Sequence, residues 1–183
     1  MILFINACVR SMSRTKELAD RYLSGCTDTV YEERLEDIDF PKVDEAFLRK
    51  RDRLIGLGKF DDPMFDLAVR FAEADRIVIA APCWDLSFPS SLKQYLEQIC
   101  VIGLTFRYTS DGIPEGLCRA SDLTYITTVG GDFFPSEYGF GYVCALSKNF
   151  YGINRIKLIK ATGLDTEGAD VEKILRSAEE VMI

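Results

Sequence analysis

The sequence predicts a single α/β domain over residues 1–183, with a doubly wound, five-stranded parallel sheet and helices on both faces. Short, nearly unbroken apolar runs, typical of strands that are buried on both sides, alternate with segments whose apolar residues recur at helical spacing. Because crossovers between parallel strands are right-handed, the helices fall on both faces of such a sheet. The strand order most typical of this architecture is 2-1-3-4-5.

The first strand is predicted at residues 2–5, followed by a polar loop at residues 6–15. The next helix presents one apolar face, formed by Leu18, Ala19, Tyr22 and Leu23. Ser13 is its expected cap.

Apolar and polar side chains alternate weakly over residues 29–35, which predicts an edge strand. The charged stretch 37–53 predicts a surface helix, which the glycines within 56–58 break. Asp62 and Pro63 indicate the start of another helix, as cap and first-turn residue. Its inward face consists of Phe65, Ala68, Val69 and Ala72.

The central stretch reads as a buried strand at residues 75–81, a loop that carries Trp84, and a helix. The helical face consists of Leu92, Tyr95, Leu96 and Ile99, at positions i, i+3, i+4 and i+7. Ser91 followed by Gln94 predicts a capping box at the start of this helix.

Residues 102–117 predict a strand or flap with turns, and residues 123–129 predict the fourth strand, which ends at a Gly-Gly-Asp sequence. A helix follows through Val143, Leu146 and Phe150, and the fifth strand is expected at residues 156–160. The last helix places on one face Val171, Ile174, Leu175, Ala178, Val181 and Met182.

Composition excludes several classes of function. A formal net charge of -7 opposes binding to nucleic acid or to an anionic membrane surface, and no apolar run is long enough to span a membrane. Six cysteines without a C-x-x-C pair, and no secretory signal before them, predict reduced thiols and a cytoplasmic protein. The sequence has no histidine, which excludes Ser-His-Asp and Cys-His catalysis, and the cysteine spacing predicts no metal site.

The loop after the first strand suits a phosphate. It ends at a helix N-terminus, where free backbone N–H groups and the positive end of the helix dipole meet. Ser11, Ser13 and Thr15 would donate hydroxyl hydrogen bonds, and Arg14 or Arg10 would supply a positive charge. An ordinary capped helix without a ligand fits the same pattern.

Three loops are expected to meet at the switch point of the sheet, between the first and third strands. The first loop suits a phosphate, the second carries the Trp84 indole, and the third offers Gly130 and Gly131, whose backbone can approach a flat ligand closely. Together they predict a site for a planar heteroaromatic ring with a phosphate tail. Flavin mononucleotide (FMN) fits this description better than a metal or a nucleoside triphosphate, for which the Gly-x-x-x-x-Gly-Lys-Ser/Thr motif is lacking.

The same segments carry a resemblance to known enzymes. Residues 81–93 (APCWDLSFPSSLK) resemble the flavin-contacting segment of the FMN-dependent NADH-azoreductase and NAD(P)H:quinone oxidoreductase families, and residues 105–117 and 126–131 resemble the next two segments. The likeness spans nearly the whole chain. It implies a flavodoxin-like fold, non-covalently bound FMN, NADH or NADPH as electron donor, ping-pong hydride transfer to a quinone, azo or similar small-molecule acceptor, and a homodimer.

The resemblance also implies the roles of individual residues, with the flavin rather than a side chain carrying the chemistry. The FMN-binding residues would be Ser11, Ser13, Arg14 and Thr15 in the first loop, Pro82, Cys83, Trp84, Asp85 and Leu86 in the second, and Thr128, Val129, Gly130 and Gly131 in the third. Phe106, Tyr108 and Phe133 would form walls of the substrate pocket, with core packing as the alternative for all three.

Several positions depart from the family pattern. Cys83 stands where methionine is common and is interpreted as a small apolar filler, not a redox thiol. Asp85 stands where asparagine is common, and an ionised carboxylate beside the ring would lower the flavin potential. The alternative function is a flavodoxin-like FMN electron carrier or binding protein without turnover, against which the first loop lacks the flavodoxin pattern Thr-x-Thr-Gly-x-Thr.

Overall fold

The computed structural model describes residues 1–180 and contains a five-stranded sheet in the order β2-β1-β3-β6-β7, in which every neighbouring pair is parallel. The strands are β1 (Ile2–Asn6), β2 (Val30–Arg34), β3 (Arg76–Ala80), β6 (Asp122–Thr128) and β7 (Arg155–Ala161). A separate antiparallel hairpin consists of β4 (Phe106–Tyr108) and β5 (Pro114–Gly116). The predicted order 2-1-3-4-5 is confirmed, because the hairpin does not join the sheet.

The helices surround the sheet, and each face has its own apolar core. They are α1 (Arg14–Ser24), α2 (Glu45–Gly56), α3 (Asp66–Glu73), α4 (Ser90–Ile99), α5 (Phe140–Leu146) and α6 (Val171–Glu180). Leu3 and Ile5 of β1 pack into one core, with α3 and α4, whereas Ile2 and Phe4 pack into the other, with α1 and α6. Residues alternate between faces along a strand, so the unbroken apolar run of β1 fills both cores. Val181 and Met182, predicted on the face of the last helix, lie outside the described residues.

Three helix starts differ from the prediction. Asp62 caps a 3₁₀ turn at Pro63–Phe65, and α3 itself begins only at Asp66.

The other two concern α2 and α4. The charged stretch becomes helical only at Glu45, where the Asp44 side chain accepts a hydrogen bond from the Phe47 amide at 3.0 Å. The predicted capping box of Ser91 is wrong: α4 begins directly after Pro89 without a side-chain cap. Ser91 therefore lies within the first turn, and its Oγ is buried without a hydrogen-bond partner in the described part of the chain.

The β4–β5 hairpin is anchored on the segment that follows α5. This segment, Ser147–Tyr151, is π-helical and ends at Gly152, which has a φ of 76°. A Cβ at Gly116 would lie 2.1 Å from the Gly152 nitrogen, so the two backbones touch. The Phe106 ring packs edge-on against Phe150 at a centroid distance of 4.7 Å.

Candidate functional site

The carboxyl ends of β1, β3, β6 and β7 open onto one cavity of about 390 Å³. Its walls are formed by Val9, Arg10, Met12, Ser13, Arg14, Thr15, Pro82, Cys83, Trp84, Thr128, Val129, Gly130, Leu164 and Asp165. The three loops expected at the switch point therefore meet in this cavity. The loop after β7 contributes a fourth wall.

The wall at the start of α1 is rich in hydrogen-bond donors. Ser13 is the predicted cap, and its Oγ accepts from the Lys16 amide at 3.2 Å. The amides of Arg14 and Thr15 precede the first intrahelical bonds, so helix geometry gives them no acceptor within α1. The Thr15 hydroxyl lies 2.6 Å from that of Thr128, which joins the helix to the end of β6. This wall therefore combines free amides with the positive end of the helix dipole, an arrangement that suits an anion.

Asp165 connects the loop after β7 to two of the other loops. Its Oδ1 accepts from the Arg14 Nη1 at 2.6 Å, and the same nitrogen donates to the Leu164 carbonyl at 3.1 Å. Its backbone amide donates to the Gly130 carbonyl at 2.8 Å. A Cβ at Gly130 would lie 2.4 Å from Asp165 Oδ2, so glycine here makes room for this carboxylate.

Arg10 differs from Arg14 in its surroundings. It is exposed, lines the same cavity, and makes no ion pair or hydrogen bond with another residue of the described chain.

The second loop contains a tight turn from Trp84 to Ser87. The Ser87 amide donates to the Trp84 carbonyl at 2.8 Å, and the Trp84 amide donates back to the Ser87 carbonyl at 3.2 Å. Asp85 and Leu86, the two central residues, have φ angles of 49° and 67°. Two left-handed residues in succession are the signature of a type I′ turn, which normally selects Asn-Gly. The turn is strained at Leu86, and the Ser87 Oγ anchors it by donating to the Tyr138 carbonyl at 2.8 Å.

The turn presents the indole of Trp84, which is 37% exposed, in the cavity wall. Asp85 and Leu86 lie on the exposed turn itself and do not line the cavity. The aspartate at position 85 is explained by its backbone, because asparagine and aspartate adopt left-handed conformations more readily than most residues.

Burial disfavours ionisation of the cysteines near the cavity. Burial raises the pKa of Cys83, and it raises the pKa of Cys8 to about 11. Since the thiolate is the nucleophile, these shifts disfavour a nucleophilic role, which supports the interpretation of Cys83 as an apolar filler. The Cys83 amide donates to the Thr128 carbonyl at 3.1 Å, and the Val129 amide donates to the Ala161 carbonyl at 2.9 Å, so the ladder of the sheet extends into the site.

Of the predicted FMN-binding residues, nine line the cavity: Ser13, Arg14, Thr15, Pro82, Cys83, Trp84, Thr128, Val129 and Gly130. Ser11, Asp85, Leu86 and Gly131 do not. Sequence reasoning missed Val9, Met12, Leu164 and Asp165. The last two could have been found from topology, because every loop that follows a parallel strand opens on the same edge of the sheet.

The three aromatic residues predicted as pocket walls lie outside the cavity lining. Phe106 is 5% exposed and packs against Phe150 and Tyr108, so the core-packing alternative describes it. Tyr108 and Phe133 are exposed.

No cluster of three or more side chains of metal-ligating type occurs within residues 1–180, and no helix in that range is long and apolar enough to cross a membrane.

Comparison with known proteins places the chain in a family. The family model Flavodoxin_2, described as a flavodoxin-like fold, matches residues 1–182. The FMN-dependent NADH:quinone oxidoreductase of Clostridium beijerinckii is 35% identical over 179 residues, which cover 94% of this chain and 90% of that protein. The FMN-dependent NADH:quinone oxidoreductase 2 of Clostridium acetobutylicum is 36% identical over 185 residues, which cover 96% and 91%.

Solved structures show the same fold. An FMN-dependent NADH-azoreductase from Bacillus anthracis, crystallised in complex with FMN, superposes with a TM-score of 0.80 at 24% identity, covering 99% of this chain and 95% of that one. The fold, the position of the cavity and the named relatives all indicate the same family. The chain belongs to the flavodoxin-like family of FMN-dependent NADH:quinone oxidoreductases.

Proposed function

We propose that the protein binds FMN in this cavity and transfers electrons from NADH to a quinone, azo or similar small-molecule acceptor. The observation that carries the proposal is the convergence in one cavity of the α1 N-terminus, an exposed indole and the glycine-containing loop after β6. The donor set fits FMN: amides, hydroxyls and arginine suit its phosphate, and the indole suits its flat ring. The named relatives are FMN-dependent NADH:quinone oxidoreductases, and their names support the same donor and acceptor class.

When bound, the flavin supplies the hydride chemistry, so no histidine or thiolate is required. The chain's part is to hold and orient the ring system. Trp84 would form a wall for the ring, and the amides at the start of α1 would hold the phosphate. Thr128, Val129 and Gly130 provide the wall at the end of β6, where the Thr15–Thr128 contact joins the ring end of the cavity to the phosphate end.

We further propose that the protein is a homodimer whose second copy covers the mouth of the cavity. Large apolar side chains remain exposed on the loops around the site: Val9, Leu86, Phe133, Tyr138 and Met12, the last of which is 90% exposed. Exposed apolar side chains that surround one site support an interface. A cytoplasmic location is also proposed, supported by the free thiols of all six cysteines.

The test is an anaerobic titration of the FMN-loaded protein with NADH and, separately, NADPH, while flavin absorbance is followed. Quinone and azo acceptors are then added one at a time. Bleaching by NADH and recovery with an acceptor is the expected result. A protein that binds no FMN would refute the proposal, and FMN binding without NADH oxidation would favour the alternative of an electron carrier without turnover.

A further inference from the structure

The two arginines of the cavity wall have different electrostatic surroundings. We infer that Arg10 supplies the positive charge that binds the FMN phosphate, whereas Arg14 and Asp165 form an ion pair that positions the first loop. The inference rests on the proposed function and goes beyond it, because it divides the phosphate site between a binding residue and a positioning pair.

One nitrogen of the Arg14 guanidinium, Nη1, is already occupied, and the charge of the guanidinium is paired with a carboxylate. This nitrogen donates to both the Asp165 carboxylate and the Leu164 carbonyl, which lie in the loop after β7. A phosphate that approached Arg14 would either displace Asp165 or share the guanidinium with it. Because a phosphate monoester carries about −1.5 to −2 charges at pH 7, sharing brings two anions together across one cation.

The charge balance of the cavity wall leads to the same conclusion. The ionised side chains that line the cavity are Arg10, Arg14 and Asp165. Arg14 and Asp165 neutralise each other at 2.6 Å, so Arg10 alone supplies a net positive charge to this wall. Arg10 has no competing partner in the described chain, so a phosphate gains its full charge-assisted hydrogen bond.

Asp165 is placed to fix the position of Arg14. Its backbone amide binds the Gly130 carbonyl, and its Oδ2 fills the space that a Cβ at Gly130 would need. The backbone of Asp165 is therefore held by the third loop, and its carboxylate lies against Gly130. The ion pair of Asp165 with Arg14, the first residue of α1, connects the first loop to the third loop. We therefore expect loss of this pair to affect the binding of any flavin, whether or not it carries a phosphate.

FMN and riboflavin separate the two roles, because riboflavin has the same ring and side chain without the phosphate. Dissociation constants for both are measured by flavin fluorescence at low and high salt, with the wild-type protein and the variants Arg10→Gln, Arg14→Gln, Asp165→Asn and Arg14→Gln/Asp165→Asn. Arg49→Gln is the matched control, since it removes one exposed positive charge on α2, away from the cavity. Thermal unfolding of the flavin-free variants checks that each is folded.

We expect Arg10→Gln to raise the dissociation constant for FMN about tenfold or more, with that for riboflavin unchanged and a weaker dependence of FMN affinity on salt. Arg14→Gln and Asp165→Asn should weaken both flavins by a similar few-fold factor, and the double variant should be no weaker than either single variant. The inference would be overturned if Arg14→Gln weakened FMN binding without weakening riboflavin binding, whether Arg10→Gln had no such effect or an equal one. A wild-type protein that binds neither flavin would overturn the proposed function and this inference with it.

Discussion

Gly130 and Asp165 should be energetically coupled, and the substitution Gly130→Ala tests this. The new methyl carbon would lie 2.4 Å from Asp165 Oδ2 and 3.2 Å from its Cγ. Both atoms belong to a side chain that can rotate, so the methyl is accommodated when the carboxylate turns away. That movement breaks the contact of Asp165 Oδ1 with the Arg14 guanidinium.

The cost follows from what is lost. The Arg14 and Asp165 side chains are 40% and 70% exposed, and pairs of this exposure contribute about 0.2–1 kcal/mol. Residual crowding adds about 0.5–1 kcal/mol, at or below the low end for an extra methyl in a packed site. The free energy of unfolding should therefore fall by about 1–2 kcal/mol. Gly131→Ala is the matched control, because nothing lies within 4 Å of a Cβ at that position.

Urea unfolding of a double-mutant cycle measures the coupling. In an Asp165→Ala background the obstructing atoms are absent, so Gly130→Ala should cost close to nothing there. An equal cost of Gly130→Ala in both backgrounds would refute the reasoning. So would a Gly131→Ala variant as unstable as Gly130→Ala.

Three further predictions concern the core, the pH dependence of stability and the ring wall. Arg70→Ala should lower the free energy of unfolding, measured by urea titration, by about 3 kcal/mol. The Glu33 carboxylate is only 4% exposed and accepts from the Arg70 Nε at 2.5 Å, so the substitution leaves a buried charge without its partner. The folded-state pKa of Cys8 is raised to about 11, so the stability it contributes is complete below pH 9, where the unfolded thiol begins to ionise, and is lost as the pH rises to about 11. The free energy of unfolding, measured by urea titration from pH 8 to 11, should therefore fall by about 2–3 kcal/mol. Trp84→Ala should weaken FMN and riboflavin alike, by about tenfold or more in fluorescence titrations, because it removes a ring contact and not a phosphate contact.

Each of these predictions has a control. Replacing both members of the Glu33–Arg70 pair with apolar residues should recover most of the lost stability; a double variant as unstable as Arg70→Ala would contradict the argument. Cys8→Ala should reduce the alkaline loss of stability, and an unchanged alkaline slope would assign it to other groups. A Trp84→Ala variant that lost FMN affinity only would place the indole at the phosphate instead of the ring.

The strands could be predicted from local patterns, and their order and the location of the site from the arrangement most typical of a five-stranded doubly wound sheet. Each buried parallel strand appears as an apolar run, and the order of strands and helices then fixes the edge where the loops meet. The Ser13 cap was also predictable, since it involves a contact only three residues away.

Contacts between distant residues were not predictable in this way. The partner of Arg14 lies 151 residues along the chain, in a loop with no motif of its own. The left-handed conformation of Leu86 contradicts the preference of leucine and is imposed by the turn. The capping box failed because α4 starts at Ser90, directly after Pro89, which is two residues earlier than a cap at Ser91 requires.

The hydrogen bonds that extend the sheet ladder past the strand ends have a consequence for cofactor uptake. The amides of Cys83 and Val129 bind the carbonyls of the last residues of β6 and β7, and the Asp165 amide binds the loop after β6, so the floor of the cavity is continuous with the sheet. Amide hydrogens at these positions should exchange with solvent as slowly as those of the central strands, with or without flavin. A cavity whose walls are already ordered loses little conformational entropy when it binds flavin. Flavin association should therefore follow a single second-order step without a slow rearrangement.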